Sequence, residues 1–379
     1  MKTILVWDLP LRLFHWLFAF SFAAAWLTAE SDEWLSLHAF FGYLMLGLIG
    51  FRLVWGLVGS RYARFSSFLY GPRAGLDYLR ASLTGHAARH LGHNPAGSQA
   101  VYLLLGLGLL AGFSGLFVQG GEEQHGATAG AFGYVVGNLI KEGHGFLANL
   151  MLLVVFAHLA GVALESWLHK ENLARSMVTG LKAAEPGTPA ARPNRLIGLL
   201  LLAAVTAFGA GWFFYAWHEP VERMGGHDDA AREAPPVAFV GKTLPESALW
   251  QEECGSCHLA FHPSLLPARS WQSLLAGQDR HFRDDLGLEA ATVAKLLAFA
   301  VPNSAEQHAS EAAWKINRSV PADATPLRIT ETPYWVKKHR EIAAADWKNP
   351  KVKSKANCAA CHQDAEAGTY EDAAMRIPR

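Results

Sequence analysis

All four cysteines of this chain fall in one repeated pattern, Cys254-Gly-Ser-Cys257-His258 and Cys358-Ala-Ala-Cys361-His362. Cys-x-x-Cys-His is the attachment motif for c-type haem. Its two thiols form thioethers to the porphyrin, and the adjacent histidine is delivered to the iron. The rival is a zinc ribbon made of two Cys-x-x-Cys pairs. It fits poorly, because the pairs are about a hundred residues apart and each runs straight into a histidine. No cysteine is left for a disulfide.

Two such irons need sixth ligands unless they stay five-coordinate. The candidates are His262, His281, His308, His339 and Met375. His262 follows His258 by four residues and precedes Pro263, which ties it to the proximal side, and Met375 lies near the C-terminus. His281, in Arg-His-Phe-Arg-Asp-Asp, and His339, in Tyr-Trp-Val-Lys-Lys-His-Arg, sit in charged segments beside an aromatic residue. Surface position and ligation are both open to them at this point.

A second set of histidines lies in or against long apolar runs: His15, His38, His144 and His158. Ionisable groups at bilayer depth are rare and usually functional, although a lone histidine there is about as often a packing residue. His144 and His158 are 14 residues apart on one stretch. As a helix, that is about 21 Å and nearly four turns, so both face the same way at two levels. Matching depths pairs His15 with His158 and His38 with His144, each pair able to bracket one iron between facing helices. Arg52 stands 14 residues after His38. It has two readings, a partner for a haem propionate or a side chain snorkelling to the headgroups.

The elements that position these residues follow from hydropathy. Five stretches reach the roughly 20 residues a bilayer crossing needs, near 11–29, 35–58, 97–119, 146–168 and 195–217. The first carries a dense Phe/Trp core and only Lys2 before Trp7 and Asp8, so it reads as a retained helix and not a cleaved signal. Arg61, Arg64, Arg73, Arg80 and Arg89 follow the second stretch, and Lys170, Arg175, Lys182, Arg192 and Arg195 follow the fourth. The other two connections are acidic. Basic loops stay in the cytoplasm, which puts the N-terminus inside and everything past the fifth stretch outside. The expected organisation is a four-helix membrane domain at 1–182, a fifth helix at 183–217, a Pro/Gly-rich linker at 218–245 and a soluble domain at 246–379. With 33 basic and 33 acidic side chains the formal charge is zero, so no nucleic-acid partner is implied. Nothing resembles a phosphate loop or a dinucleotide fingerprint, and no residue is singled out as catalytic. At the start, Trp7-Asp8-Leu9-Pro10 precedes His15, with Arg12 and His93 at similar depth. Asp8 with a nearby histidine could relay protons released by a quinol, or Asp8 and Arg12 could simply pair.

The membrane part resembles prokaryotic cytochrome b561 and the related hydrogenase-type cytochrome b subunits. The likeness rests on Val6-Trp7-Asp8-Leu9-Pro10-x-Arg12-x-Phe14-His15-Trp16, His38-x-x-x-Gly42-Tyr43 and Phe51-Arg52-Leu53-x-Trp55-Gly56. It continues in Gly59-Ser60-x-Tyr62-Ala63-Arg64-Phe65, Gly92-His93-Asn94-Pro95 and the His144/His158 stretch ending Glu171-Asn172-Leu173. Residues 246–379 resemble the bacterial dihaem cytochromes c. Here the likeness lies in Cys254-x-x-Cys257-His258, Leu265-Leu266-Pro267-x-x-Ser270-Trp271, His281-Phe282, Arg328-Ile329-Thr330, Trp335 and Lys338-His339-Arg340. These resemblances imply an all-α chain: a transmembrane bundle with a four-helix di-haem b core plus a fifth helix, and a mainly helical, loop-rich dihaem c domain. They imply two b haems on the four membrane histidines and two bis-histidine c haems, with His281 and His339 as distal ligands in an order not assigned. The fused c domain departs from four-helix relatives, which would use a separate partner.

The function expected is electron transfer across a bacterial inner membrane, between the quinone/quinol pool and a soluble periplasmic haem protein or redox enzyme. The resemblance points to a small oxygen-binding monohaem cytochrome as one acceptor, and a homodimer is compatible with it. Alternatives are an anchor subunit of a periplasmic dehydrogenase or hydrogenase, and a superoxide or metal oxidoreductase acting at the periplasmic haem. A haem-based sensor is disfavoured for want of an output domain.

Overall fold

A computed structural model describes residues 2–30, 34–122, 128, 131, 133–192, 195–221, 244–307, 310–340, 342–371 and 374–378. His308 and most of the expected linker lie outside these residues. The chain divides into two compact units, residues 1–115 with 141–221, and residues 116–140 with 222–379.

In the first unit, helix α1 (Leu9–Thr28) starts where Asp8 leaves extended backbone and accepts the Leu11 N–H at 2.9 Å, with a proline in the first turn. α2 (Leu35–Val58) follows, then the amphipathic α3 (Pro72–Leu83), most of α4 (Pro95–Gly121) and of α5 (Tyr134–Leu168), whose residues 116–121 and 134–140 fall in the second unit, the short α6 (Leu173–Thr179) and α7 (Arg195–Val221). α1, α2, α4 and α5 are each long and apolar enough to cross a membrane. Phe20, Leu27, Leu103, Phe113, Leu153 and Phe156 turn their side chains outward from these helices. Apolar surface of that kind requires lipid around it. The membrane-embedded character read from the sequence therefore holds. At 35 residues α5 spans about 52 Å, longer than the 146–168 run suggested and longer than a hydrocarbon core of about 30 Å.

The expected fifth crossing is a continuous helix, with side chains described over its first half. α7 lies antiparallel to α2. A Cβ on Gly198 would strike Trp55 and Pro10, Val205 touches Gly47, and Gly209 faces Leu44. Buried Leu11, Phe14, Leu44, Leu48, Ile49, Phe51, Trp55 and Leu202 form the core between α1, α2 and α7.

A two-stranded antiparallel sheet also forms, β1 (Lys2–Leu5) on β2 (Leu181–Ala184), with Lys2 opposite Ala184. Gly180, at φ +83°, ends α6, and its carbonyl accepts the N–H groups of Val6 and Trp7. This closure ties the start of the chain to residue 180 and fixes where α1 begins.

The second unit is helical and loop-rich: α8 (Ala248–Gly255), α9 (Ala268–Ala276), α10 (Ala290–Ala300), α11 (Glu311–Ser319) and α12 (Pro333–His339). Trp250, Leu266, Trp271, Leu296 and Ala300 form one core, and Leu265, Ala305, Ala312, Ile316 and Val320 another.

Candidate functional site

The eight histidines expected to act together occur as four facing pairs. Ring centroids are 6.5 Å apart for His15 and His158, and 6.0 Å for His38 and His144. They are 6.3 Å apart for His258 and His281, and 6.2 Å for His339 and His362. Two imidazoles on opposite sides of one metal ion, each bonded at about 2 Å, place their centroids roughly 6 Å apart. All four pairs meet that distance. It also divides the c-domain histidines, which the sequence left undivided, by setting His281 opposite His258 and His339 opposite His362.

Second contacts fix which ring nitrogen faces inward. His38 Nδ1 lies 2.8 Å from the Ala25 carbonyl, and His144 Nδ1 lies 3.0 Å from that of Ala111. His258 Nδ1 lies 2.7 Å from the Leu259 carbonyl, and His339 Nδ1 lies 2.9 Å from that of Trp335. A carbonyl only accepts, so each Nδ1 carries the proton and each Nε2 keeps a free lone pair. His262 differs: Nδ1 accepts from the Ser264 N–H at 3.1 Å, and Nε2 lies 3.1 Å from the Pro245 carbonyl. One nitrogen caps a turn and the other is held by the Pro245 carbonyl. Met375 pairs by its backbone with His362, which keeps it on that histidine's own side of the chain.

Local structure holds the distal histidines. Trp335 stacks on His339 at 4.2 Å and 12°, one turn away on α12. After His281 the chain turns through two left-handed residues, Phe282 at φ 52° and Arg283 at φ 93°. Non-glycine residues occupy that region at a cost, and such strain gathers at functional sites. The guanidinium of Arg328 covers the Phe282 ring at 4.0 Å and braces the turn. Burial, together with the neighbouring histidine and against Asp284 and Asp364, lowers the pKa of His281 and His362 below the ordinary imidazole value. Burial pushes the thiols of Cys254 and Cys358 up to about 11. Among the described residues no three His, Cys, Asp or Glu side chains converge.

Arg52 is 2% exposed, which removes the snorkelling reading. Its guanidinium lies over Phe65 at 4.4 Å and near Phe68 at 6.0 Å, and its Nη1 is buried without a hydrogen-bond partner. Phe65 reaches this place because Gly56 leaves room, a Cβ there falling 2.1 Å from the ring. A buried, incompletely bonded guanidinium is costly unless an anion joins it. A haem propionate meets that need, and the residues present fit the group.

Asp8 is fully buried, and its partners are the Leu11 N–H, Trp55 Nε1 at 3.2 Å and the Ser60 hydroxyl. Arg12 does not pair with it, donating instead to the Val178 carbonyl. His93 lies between Trp7 at 4.8 Å and Phe68 at 4.2 Å, and burial lowers its pKa to about 3. Asp8 is therefore a helix cap and crosslink between α1 and the end of α2, and His93 a neutral packed ring.

A carboxylate that sequence reasoning passed over is Glu165, on α5 two turns beyond His158 and 8% exposed. Tyr78 donates to it at 2.8 Å, Ser82 at 2.7 Å and Asn94 at 3.2 Å, while His169 Nε2 stands 3.3 Å away. A carboxylate inside an apolar stretch, seven residues from a histidine, was the available signal.

Residues 250–370 match the family described as dihaem cytochrome c, and residues 6–180 match that described as prokaryotic cytochrome b561. Among solved structures, a diheme cytochrome c from Rhodobacter sphaeroides is 35% identical over 34% of this chain and 100% of its own, at a TM-score of 0.31. A diheme cytochrome type c from Shewanella baltica OS155 is 32% identical over 36% of this chain and 95% of its own, at a TM-score of 0.29. No curated protein matches.

Proposed function

We propose, for a chain that belongs to the dihaem cytochrome c family over residues 250–370 and to the prokaryotic cytochrome b561 family over residues 6–180, that it carries electrons between the quinone pool and a periplasmic redox partner by way of two b haems and two c haems. Transmembrane electron transfer by cytochromes is what the two families together indicate. The finer reading is carried by the four imidazole pairs at 6.0–6.5 Å. His15 with His158 and His38 with His144 are assigned to the b haems, and Arg52 to a propionate. Cys254, Cys257, His258 and His281 are assigned to one c haem, and Cys358, Cys361, His362 and His339 to the other. Haem, when bound, supplies a one-electron iron couple.

The protein's part is positional and protonic. Carbonyls at Ala25, Ala111, Leu259 and Trp335 orient four of the rings. Quinol oxidation releases protons as well as electrons, and these need an acceptor on the protein. Glu165 with His169 takes that role, since His169 Nε2 at 3.3 Å offers the proton a next acceptor, whereas the partners of Asp8 are a backbone amide, an indole and a hydroxyl. The basic loops favour a cytoplasmic N-terminus and a periplasmic c domain in the inner membrane, with the domain limits read from the sequence, 1–182, 183–217, 218–245 and 246–379.

Stopped-flow reduction of the purified protein by a quinol tests this. Both c haems should reduce in the wild type. In His38→Ala and His144→Ala they should stay oxidised while the remaining b haem still reduces. Undiminished c-haem reduction in those variants overturns the proposed route.

A further inference from the structure

A cavity of about 620 Å³ opens beside the end of α2, lined by Gly59, Ser60, Arg61, Arg64, Pro189 and Arg192 among others. It is remote from all four histidine pairs in sequence, and no step of the electron-transfer reading uses it. Its three guanidiniums come from two segments more than a hundred residues apart, brought together by the β1–β2 closure and the chain that follows it. Arg80 pairs with Asp77 at 3.7 Å and Arg89 with Glu171 at 3.0 Å, while Arg73, on α3, has no ion pair among the described residues but does not line the cavity. Arg61, Arg64 and Arg192 form no ion pair among the described residues and are exposed. A basic loop suffices to set membrane orientation, but orientation needs only charge and does not call for three unpaired guanidiniums around one cavity.

The surface next to the cavity is apolar. Leu57 and Val58, just before Gly59 at the end of α2, are 73% and 67% exposed. Leu196, at the start of α7, is 68% exposed. α7 begins three residues after Arg192, and Gly198 packs against Trp55, so these faces adjoin. A cavity lined by three guanidiniums, beside exposed apolar helix ends, matches a molecule with a phosphate head and acyl chains.

We propose that this cavity is a binding site for the headgroup of an anionic phospholipid, whose acyl chains lie along the exposed ends of α2 and α7. Arg61, Arg64 and Arg192 bind the phosphate, and the site is independent of the haem assignments.

The test uses the full-length protein in detergent and measures retention of phosphatidylglycerol against phosphatidylcholine by native mass spectrometry. The wild type should retain phosphatidylglycerol selectively. The Arg61→Gln/Arg64→Gln/Arg192→Gln variant should bind it about a hundredfold more weakly. An Arg73→Gln/Arg80→Gln variant removes two charges from α3, outside the cavity lining, and should bind as the wild type does. Unchanged b- and c-haem absorbance in both variants shows that the fold is retained. Equal losses in the two variants would make the attraction a general surface effect and overturn the site. So would full retention in the triple variant. Displacement of the lipid by millimolar inorganic phosphate would make it a free-anion site and overturn the lipid assignment.

Discussion

The Tyr78 hydroxyl donates to Glu165 Oε2 at 2.8 Å, joining the amphipathic α3 to the C-terminal part of α5. Ser82, one turn further along α3, donates to the other oxygen at 2.7 Å. If Glu165 takes up the proton of a quinol, Glu165→Gln should slow quinol-driven haem reduction by at least about tenfold, general-base groups contributing about 10²–10⁴. Gln keeps the shape and an acceptor oxygen, so reduction by dithionite should be unchanged. Stopped-flow rates in H₂O and D₂O check it, with the solvent isotope effect lost in the variant. An unchanged quinol-driven rate removes Glu165 from proton transfer.

Asp8 gives the opposite outcome. Its carboxylate holds the first turn of α1 and the side chains of Trp55 and Ser60. Asp8→Asn should leave the quinol-driven rate within about twofold of wild type, because no titratable group stands among its partners to take the proton onward. Asp8→Ala should lower stability by about 1–3 kcal/mol, through the lost cap and the stranded indole N–H. Thermal unfolding followed by circular dichroism measures that loss. A slowed rate in Asp8→Asn at normal stability would restore Asp8 as the relay.

Much of this was legible in the sequence because it depends on local periodicity. Cys-x-x-Cys-His is read from five residues, and the 14-residue spacing of His144 and His158 becomes one helix face by geometry alone. The partners of Glu165 and Asp8 were not legible. Tyr78 and Ser82 reach Glu165 across 87 and 83 residues, and Trp55 reaches Asp8 across 47. Contacts of that range depend on how helices pack, and no spacing rule encodes them. β1 and β2 were missed for the same reason. Each has four residues, and their pairing joins opposite ends of the membrane domain. Arg52 lay between: its depth followed from the sequence, but its burial over Phe65 required the fold.

Counting b haem checks the membrane pairs. His158→Ala and His144→Ala should each leave one b haem per two c haems by the pyridine haemochrome assay, and the double variant none. The c haems should remain in all three, since thioether attachment does not involve the membrane histidines. A single variant that loses both b haems, at normal expression, would mean the two levels do not bind independently.

Acid should destabilise the packing around His90, between α3 and α4. Burial depresses His90 below its ordinary value, with His169 and Lys182 pushing the same way and Glu165 opposing. Tyr78 and Tyr70 pack its ring at 5.4 and 6.1 Å. A base with a lowered folded pKa is protonated more readily in the unfolded chain. Its contribution to stability is full above about pH 6.5 and is lost as pH falls below that. Melting temperature should therefore drop between pH 7 and pH 5, and less steeply in His90→Gln. Parallel curves for the two proteins would exclude His90 as a source of the acid sensitivity.

The c-domain pairs make a prediction that the sequence could not, because they assign each distal histidine to an iron. His281 faces His258 at 6.3 Å, and His339 faces His362 at 6.2 Å. With Cys358→Ala and Cys361→Ala the domain should carry one c haem, at the first motif. In that background His281→Ala removes the ring opposite His258 and should convert the haem to high spin, while His339→Ala leaves it low spin. In a Cys254→Ala/Cys257→Ala background the two outcomes should exchange. Trp335, stacked on His339 at 4.2 Å, adds a graded case. Trp335→Leu should keep the ligand but free its ring, broadening the low-spin electron paramagnetic resonance signal of the second haem only. A reversed pattern of high-spin signals would mean that the distal histidines cross between motifs. A haem that stays low spin in both histidine variants would have its sixth ligand elsewhere, and the pairing drawn from ring distances would fall.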